Sequence, residues 1–577
     1  MASIQARISR GKKYWSIVES HRVNGQPRTR IIEYLGTADT LFERLQRGDE
    51  FSITSYSHGD TAAILNIAIE LDIISIINKY VPVSIKNNKK PKRDNLTVGA
   101  SLLLAAIGRA CQPTSKKGWY EWCKGTSLEY CLRTSFKKLN SQHFWDQMNT
   151  VPLSALTLIE EEVVKKLIDI YEIKMDCLFY DTTNFFTFID STNRRCMLPQ
   201  RGRNKQKRFD LRQIGMALLV TREDQLPIFH NTYEGNKNDV TSFKEVYDDL
   251  LSRLKSISKE MSEITIVFDK GNNSKENFKN IDVVTKKLYY VAGLVPAHFK
   301  KLIQIANNNF TEEKIDGENI SIYRSKSVIW KNIRTCIVII SKRLKDGQIR
   351  GIRQALKKRY QLISKFKQQI ESPSKKKILT EAEIKSRLLK IIKGQFVGDL
   401  INYKLIVLED NTLSFTYTLN KEAYRYLRQK ILGRQIIITN RHEWSNEEII
   451  HAYRGQAKIE YAFRCFKNPF HFAIRPQYHW TDQKIQTHLF ICLIGYLLSA
   501  VAYRKAKKEG YTKNINSFME EMKSIRLACC RKRKSNKLKY QLETLPEELT
   551  NISRCLSVSN ENLHPKVNFS DYKQMTI

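Results

Sequence analysis

Five apolar runs of strand length follow one another between Cys177 and Val295, and they constrain the fold of this chain more than any other feature. They are CLFYDTTNFFTF (177–188), QIGMALLVT (213–221), PIFHNTYEG (227–235), EITIVFDKG (263–271) and KKLYYVAGLV (286–295). Each is rich in β-branched and aromatic residues and bounded by polar turn residues, the pattern of a strand. A helical stretch, Ser242 to Lys259, separates the third from the fourth, and another helix separates the fourth from the fifth. Strands interleaved with helices predict an α/β fold: a mixed sheet flanked by helices.

The rest of the chain divides around this sheet. Residues 1–40 read as an N-terminal β-hairpin, because Tyr14–Val23 and Arg28–Leu35 alternate around Asn24-Gly25. Residues 41–174 are mostly helical in pattern, with a basic, proline-containing loop at Lys86–Asn95. Residues 175–298 form the first part of the core. Residues 299–434 look like a β-rich insertion that also carries a long basic helical stretch, Gly347 to Lys393. The second part of the core is expected at 435–505, and a basic helical region with a polar tail at 506–577.

Charge narrows the partners. Lys and Arg number 97 against 59 Asp and Glu, a formal charge of +38, which calls for a polyanion: nucleic acid before an anionic membrane. The apolar segment Leu489–Tyr503 is shorter than the ~18–20 residues a bilayer requires and reads as a buried core helix, so no membrane partner is expected. Met1–Gly11 is polar and basic, and the eleven cysteines include no C-x-x-C pair, which together fit a reducing cytoplasm. The histidines lack metal-ligand spacing and there is no G-x4-GK[ST] loop, so neither a zinc enzyme nor a nucleotide cofactor is expected.

Three carboxylates stand out by position. Asp181 ends the apolar run Cys177–Tyr180, and Asp269 ends Ile264–Phe268. An acid directly after an apolar strand projects from the sheet edge; either one alone can also be a turn or cap aspartate. The third, Glu460, lies in NEEIIHAYRGQAKIEYAFRCFKNPF, a helix expected to start at the N-cap Ser445 and to stop at Pro469. At 100° per residue Tyr453, Glu460 and Lys467 share one stripe, while Ile459, Ala462, Phe463 and Phe466 form the apolar face. Glu460 thus flanks the buried face, as a ligand group or as a solvated glutamate. Such hard oxygen donors suit Mg²⁺ or Mn²⁺, and a pair of these ions can drive an in-line phosphoryl displacement.

These motifs, taken in order, resemble the DDE transposases of bacterial insertion sequences in the insertion-sequence-four superfamily. The resemblance rests on LFYDTTNFFTF, QIGMALLVT with PIFHNTYEGN, IVFDKGNNSKEN, RPQYHWTDQKIQTHLFICLIGYLL and a Y-x2-R-x3-E-x6-K signature. Tyr453, Glu460 and Lys467 stand at the signature's spacing, but Gln456 replaces its arginine, leaving Arg454 or Arg464 to compensate. The resemblance implies an RNase H-like core, with Asp181, Asp269 and Glu460 as catalytic residues holding two divalent cations, Mg²⁺ or Mn²⁺. It further implies cut-and-paste transposition: the protein binds terminal inverted repeats, cleaves there and joins the ends to target DNA, as a homodimer assembled on DNA. Tyr453 and Lys467 would contact a phosphate, as Gln456 would in place of arginine. Trp444 would stack on an unpaired base or pack in the core. Arg201, Arg203, Lys205 and Arg208, between the first two core strands, would contact the DNA backbone or form a solvated loop. The rival readings are a metal nuclease of the same core without strand transfer and an inactive, DNA-binding remnant.

Overall fold

The five runs become one side of a nine-stranded mixed sheet, ending at an edge strand. The protein is described here by a computed structural model covering residues 2–23, 26–47, 51–81, 96–113, 115–190, 192–257, 263–284, 288–371, 379–408, 413–475, 477–532, 538–563, 569 and 572. The Asn24-Gly25 turn and the Lys86–Asn95 loop lie outside these residues. The chain divides into two units: Met1–Thr150 with Phe470–Phe472 and Ile494–Ile577, and Val151–Pro469 with Ala473–Leu493.

The first unit carries more β-structure than its sequence suggested. The expected hairpin is a three-stranded antiparallel sheet of β1 (Ala2–Ser9), β2 (Lys12–Val23) and β3 (Gln26–Gly36). The additional strand, Ala2–Ser9, alternates Ile4, Ala6 and Ile8 with polar residues, but residues 3–9 are exposed, so no buried face singles it out. In the region read as helical, β4 (Phe51–Ser57) pairs antiparallel with Arg526–Lys532, which in turn pairs with Leu538–Leu542. The C-terminal region is therefore not all helix; its strands are short and gain their partner from far away in the chain. Buried helices Gly59–Glu70, Ile73–Tyr80 and Val98–Cys111 make the apolar core of this unit.

In the second unit the sheet comprises β5 (Cys177–Thr187), β6 (Arg212–Thr221), β7 (Pro227–Glu234), β8 (Thr265–Phe268), β9 (Tyr289–Leu294), β10 (Thr311–Ile315), β11 (Glu318–Ile329), β12 (Asn332–Ile340) and one strand further on. Helices Asp239–Ile257 and Lys275–Val284 make the crossovers into β8 and β9. The first five strands stand in the order β7-β6-β5-β8-β9. β6 is antiparallel to β5, whereas β8 and β9 run parallel to it. β6 is buried along nearly its whole length, as a central strand covered on both faces must be. Glu160, on the helix Leu153–Tyr171, is buried between His230 of β7 (2.7 Å) and Arg253 (3.0 Å). Burial alone would push its carboxyl up; the two partners hold it below the usual range.

The insertion is smaller than residues 299–434. Its first strands, β10 to β12, are part of the central sheet, joined to β9 through the strand Arg434–Thr439. The part with a core cluster of its own begins at Lys342: helices Lys342–Glu371 and Glu381–Ile392, the hairpin of β13 (Ile401–Val407) and β14 (Leu413–Leu419), and helix Lys421–Lys430. The single basic helical stretch is thus two helices. They share a core of their own, in which Ile363, Phe366, Leu388, Leu400 and Phe415 are buried together. The chain then re-enters the sheet as β15 (Arg434–Thr439). One helix among the described residues, Asp482–Lys508, is long and apolar enough to cross a membrane; 94% of its apolar window is buried within the protein.

Candidate active site

Tyr180 of β5 pairs with Phe268 of β8 in the parallel ladder. Asp181 and Asp269 follow them directly, and Asp269 is still extended (φ −75°, ψ 162°). Neighbouring strands lie about 4.8 Å apart, and equivalent positions point to one face, so the register delivers both carboxylates side by side. β5 is buried at either end but half-open over Asp181–Asn184, where the sheet surface gives way to solvent. Asp269 precedes a short 3₁₀ turn, yet its carboxylate makes no cap bond. It accepts instead from the Tyr453 hydroxyl at 3.3 Å. One Asp181 oxygen accepts from the Thr182 amide at 2.8 Å.

A helix pair covers this face. Ser445 caps Asn446–Gly455 as its sequence predicts, with Glu448 closing a capping box: Ser445 Oγ accepts the Glu448 amide at 3.2 Å and Glu448 accepts the Ser445 amide at 2.8 Å. The helix is not continuous to Pro469. It breaks at Gln456 and resumes as Ala457–Lys467. The break follows Gly455, where an added Cβ would lie 2.4 Å from the Phe179 ring, so the helix gains its close approach to β5 through a residue that is a poor helix former.

The odd-numbered residues of β5 form a row beneath the pair. Phe179 meets Gly455, Lys467 Nζ donates to Thr183 Oγ1 at 2.5 Å, and the same ammonium lies 5.6 Å from the Phe185 ring centroid. Asp181 falls between these contacts, about 7 Å along the strand from Phe179. Glu460 falls about 7 Å along the helix from Gly455, level with Asp181. Glu460 is nevertheless exposed, and among the described residues no three acidic, histidine or cysteine side chains converge closely enough to hold one ion. The structure therefore brings Asp181 and Asp269 together, with Tyr453 and Lys467 against them, and leaves Glu460 on the open flank of the same stripe. A pair of carboxylates with room for water and phosphate oxygens fits Mg²⁺ or Mn²⁺.

Burial raises the Tyr453 hydroxyl pKa, and the neighbouring Asp269 raises it further, so the phenol stays protonated and donates. Its position depends on Gly293 of β9, where a Cβ would come within 2.1 Å of the Tyr453 oxygen. Burial lowers the Lys467 pKa, the nearby cations Arg475 and Lys205 lower it further, and Asp181 opposes them.

The other predicted DNA-binding residues separate into two groups. Trp444 is half-buried; one face carries the Arg441 guanidinium at 4.6 Å, and its backbone carbonyl accepts from Arg324 at 2.8 Å. Arg454 pairs with Asp316 (3.1 Å) and Glu318 (3.6 Å), and exposed Arg464 lies over the Tyr461 ring. Gln456 itself is half-buried at the helix break and makes no cap bond. In the basic loop Arg201, Arg203, Lys205 and Arg208 are all exposed. Arg208 grips Asp210 with two bonds, 2.8 and 2.7 Å, and draws that carboxyl down to about 2. Of the four, Lys205 is the one felt by Lys467. Thr183, Gly293 and Arg475 were not singled out by sequence; Arg475 alone had a signal, as the first residue of RPQYHWTD.

Residues 4–50 match the N-terminal domain of IS1634 family transposases. No curated protein matches the chain. Among solved structures, the piggyBac transposase synaptic complex with hairpin DNA aligns over 80% of this chain and 79% of that one, at 9% identity and a TM-score of 0.35.

Proposed function

We propose that this chain is a DNA transposase of the insertion-sequence-four superfamily, with an RNase H-like core that cleaves the ends of an insertion sequence and joins them to target DNA. The observation that carries the reading is the Asp181–Asp269 pair, two carboxylates in register on adjacent parallel strands and facing the Tyr453–Lys467 stripe. The match of residues 4–50 to a transposase N-terminal domain supports it, as does the +38 charge.

Asp181 and Asp269 would hold the divalent cations, with Glu460 swinging in from the level of Asp181 as the third carboxylate. When bound, the ions would activate a water or 3′-hydroxyl and stabilise the leaving oxygen. Tyr453 orients the Asp269 carboxylate by donating to it. Lys467, held by Thr183, offers a cation to the phosphate chain beside Asp181. The partners are the terminal inverted repeats and target DNA, engaged by two copies that pair the ends.

The test is cleavage of an inverted-repeat duplex by the purified chain with Mg²⁺ or Mn²⁺, followed by joining to a plasmid. Nicking at the repeat boundary that is lost in Asp181→Asn, Asp269→Asn and Glu460→Gln supports the reading; cleavage without joining leaves a nuclease. The exposure of Glu460 and the break at Gln456 favour one other reading, an inactive DNA-binding remnant. That protein would retard end DNA in a gel, with steep salt dependence, and never cut it.

A further inference from the structure

Helix Lys342–Glu371 leaves the central sheet at the edge that carries the two aspartates. Phe268 of β8 is level with Ala292 of β9, and the next residue, Gly293, pairs with Ile437 of β15, which pairs with Ile337 of β12. Two antiparallel steps make β12 parallel to β8 and β9, so β12 ends, and the helix begins, beyond the level of Asp269. Three strand spacings separate β12 from β8, roughly 15 Å across the sheet. The helix start is fixed there: the Ser341 amide donates to the Gly433 carbonyl at 2.8 Å, and Gln348 Oε1 accepts the Gly433 amide at 2.7 Å. One face of the helix, from Ile349 and Ile352 to Phe366 and Ile370, is buried in the core of the insertion. On the opposite side Arg343, Arg350, Lys357, Lys358 and Lys365 fall within an arc of about 120°, and all five are exposed. Among the described residues none of the five pairs with a carboxylate; on this helix Lys367 pairs with Glu371 at 3.7 Å, and Arg359 donates to the Lys393 carbonyl at 2.9 Å. Asp346 flanks the arc, and exposed Gln354, Gln361 and Gln368 add neutral donors within it. Gly347 and Gly351 lie in the same arc. A Cβ at either would meet nothing within 4 Å, so neither glycine serves packing, and both weaken the helix. They leave the helix backbone bare for one turn beside Arg343 and Arg350, a place for another backbone to approach closely. From Arg343 to Lys365 the arc runs roughly 33 Å, close to one turn of duplex DNA.

We infer that this face of the helix receives the phosphate backbone of the duplex whose end the site cleaves. A sugar-phosphate strand seats in the notch at Gly347 and Gly351, and the cations and glutamines of the arc contact its phosphates. The inference rests on the transposase reading for the identity of the duplex. It assigns the first basic helix of the insertion a positioning role that carries no sequence information.

The experiment uses the full chain. Binding is measured in chelator over a range of salt, to an inverted-repeat duplex with flanking DNA and to a duplex of unrelated sequence, and each DNA-free variant is melted. The triple variant Arg343→Gln, Arg350→Gln, Lys357→Gln is expected to lower the salt slope on the end duplex by about three, one for each lost phosphate contact. The double variant Gly347→Leu, Gly351→Leu keeps the charge and fills the notch. It is expected to melt above wild type, because leucine is the better helix former, and yet to bind the end duplex about tenfold more weakly. A merely structural role for the glycines would not give a more stable protein that binds less. The inference is overturned if the triple variant keeps the wild-type slope, if filling the notch lowers the melting temperature or leaves the affinity unchanged, or if the losses fall on the unrelated duplex alone. If Asp181→Asn cleaves like wild type, the transposase reading falls, while the chelator binding data still judge the helix face. If Asp181→Asn is inert and the helix variants bind as wild type, the helix face alone falls.

Discussion

The two ends of the helix pair that spans the site are both crowded with cations, and they use them in opposite ways. At the first end, an open cleft of about 730 Å³ is lined by Arg222, Arg441, Trp444, His451, Arg454 and Lys458, among others. Almost every guanidinium there has a partner. Arg441 is sandwiched between Tyr289 (4.4 Å) and Trp444 and bonds Glu443 and Thr265. Arg222 pairs with Asp176 at 2.7 Å, and Arg454 with Asp316 and Glu318. At the second end Arg475 and Lys205 act on the half-buried Lys467 as like charges, and Asp181 opposes them. Charge totals do not distinguish these ends. The chemistry of the partner does: arginines at the first end pair with carboxylates, whereas the Lys467 ammonium donates to a neutral hydroxyl.

The largest expected effect tests the two acids that the helix pair covers. Asp181→Asn and Asp269→Asn should each reduce end cleavage by on the order of a thousandfold while leaving DNA binding intact. An equal loss of cleavage from Arg454→Ala would break the comparison. Next, Gly293→Ala should push the Tyr453 hydroxyl from Asp269, costing about 1–3 kcal/mol in stability by overpacking and lowering cleavage more than binding. Chemical denaturation and single-turnover cleavage would measure the two.

Lys467→Met should act in two directions. It removes a half-buried charge, so the DNA-free protein should melt at a higher temperature, while end DNA should bind about tenfold more weakly. The pH dependence has a definite sign. The folded-state pKa of Lys467 is lowered from 10.5, so between the two values the unfolded chain holds more protons. Stability should therefore rise with pH through that window, and DNA affinity should fall, because a bound phosphate favours the protonated amine. Melting and binding titrations would detect both slopes, and Lys467→Met should flatten them. The smallest effect is expected at the first end. Arg454→Ala breaks partly exposed ion pairs and should cost within about 1 kcal/mol of stability, with unchanged DNA affinity.

Much of the site was legible in the chain itself. The runs before Asp181 and Asp269 announce buried strands, and Ser445 with Glu448 announces a helix start; both are local patterns with local causes. The break at Gln456 was less visible, because its cause is the Phe179 ring beneath Gly455, remote in sequence. The strands β11 and β12 were recognisable as strands, yet not as members of the central sheet, since alternation specifies a face and not a partner. The extra strand Ala2–Ser9 and the pairing of Phe51–Ser57 with Arg526–Lys532 were missed for the same reason. The Arg441 guanidinium against one face of Trp444 was not legible in the sequence.

Sequence alone determined the strand and helix inventory of the core, the capped helix, the spacing of Tyr453, Glu460 and Lys467, and an excess of positive charge that demands an anionic partner. Tertiary structure alone decided which acids are neighbours, which cations are already neutralised, and that Arg475 comes to lie near Lys467. The reason is physical: backbone preference and amphipathic period act over a few residues, whereas Coulomb interactions and hydrogen bonds act between whatever groups the fold makes adjacent, here Lys467 and Thr183, 284 positions apart.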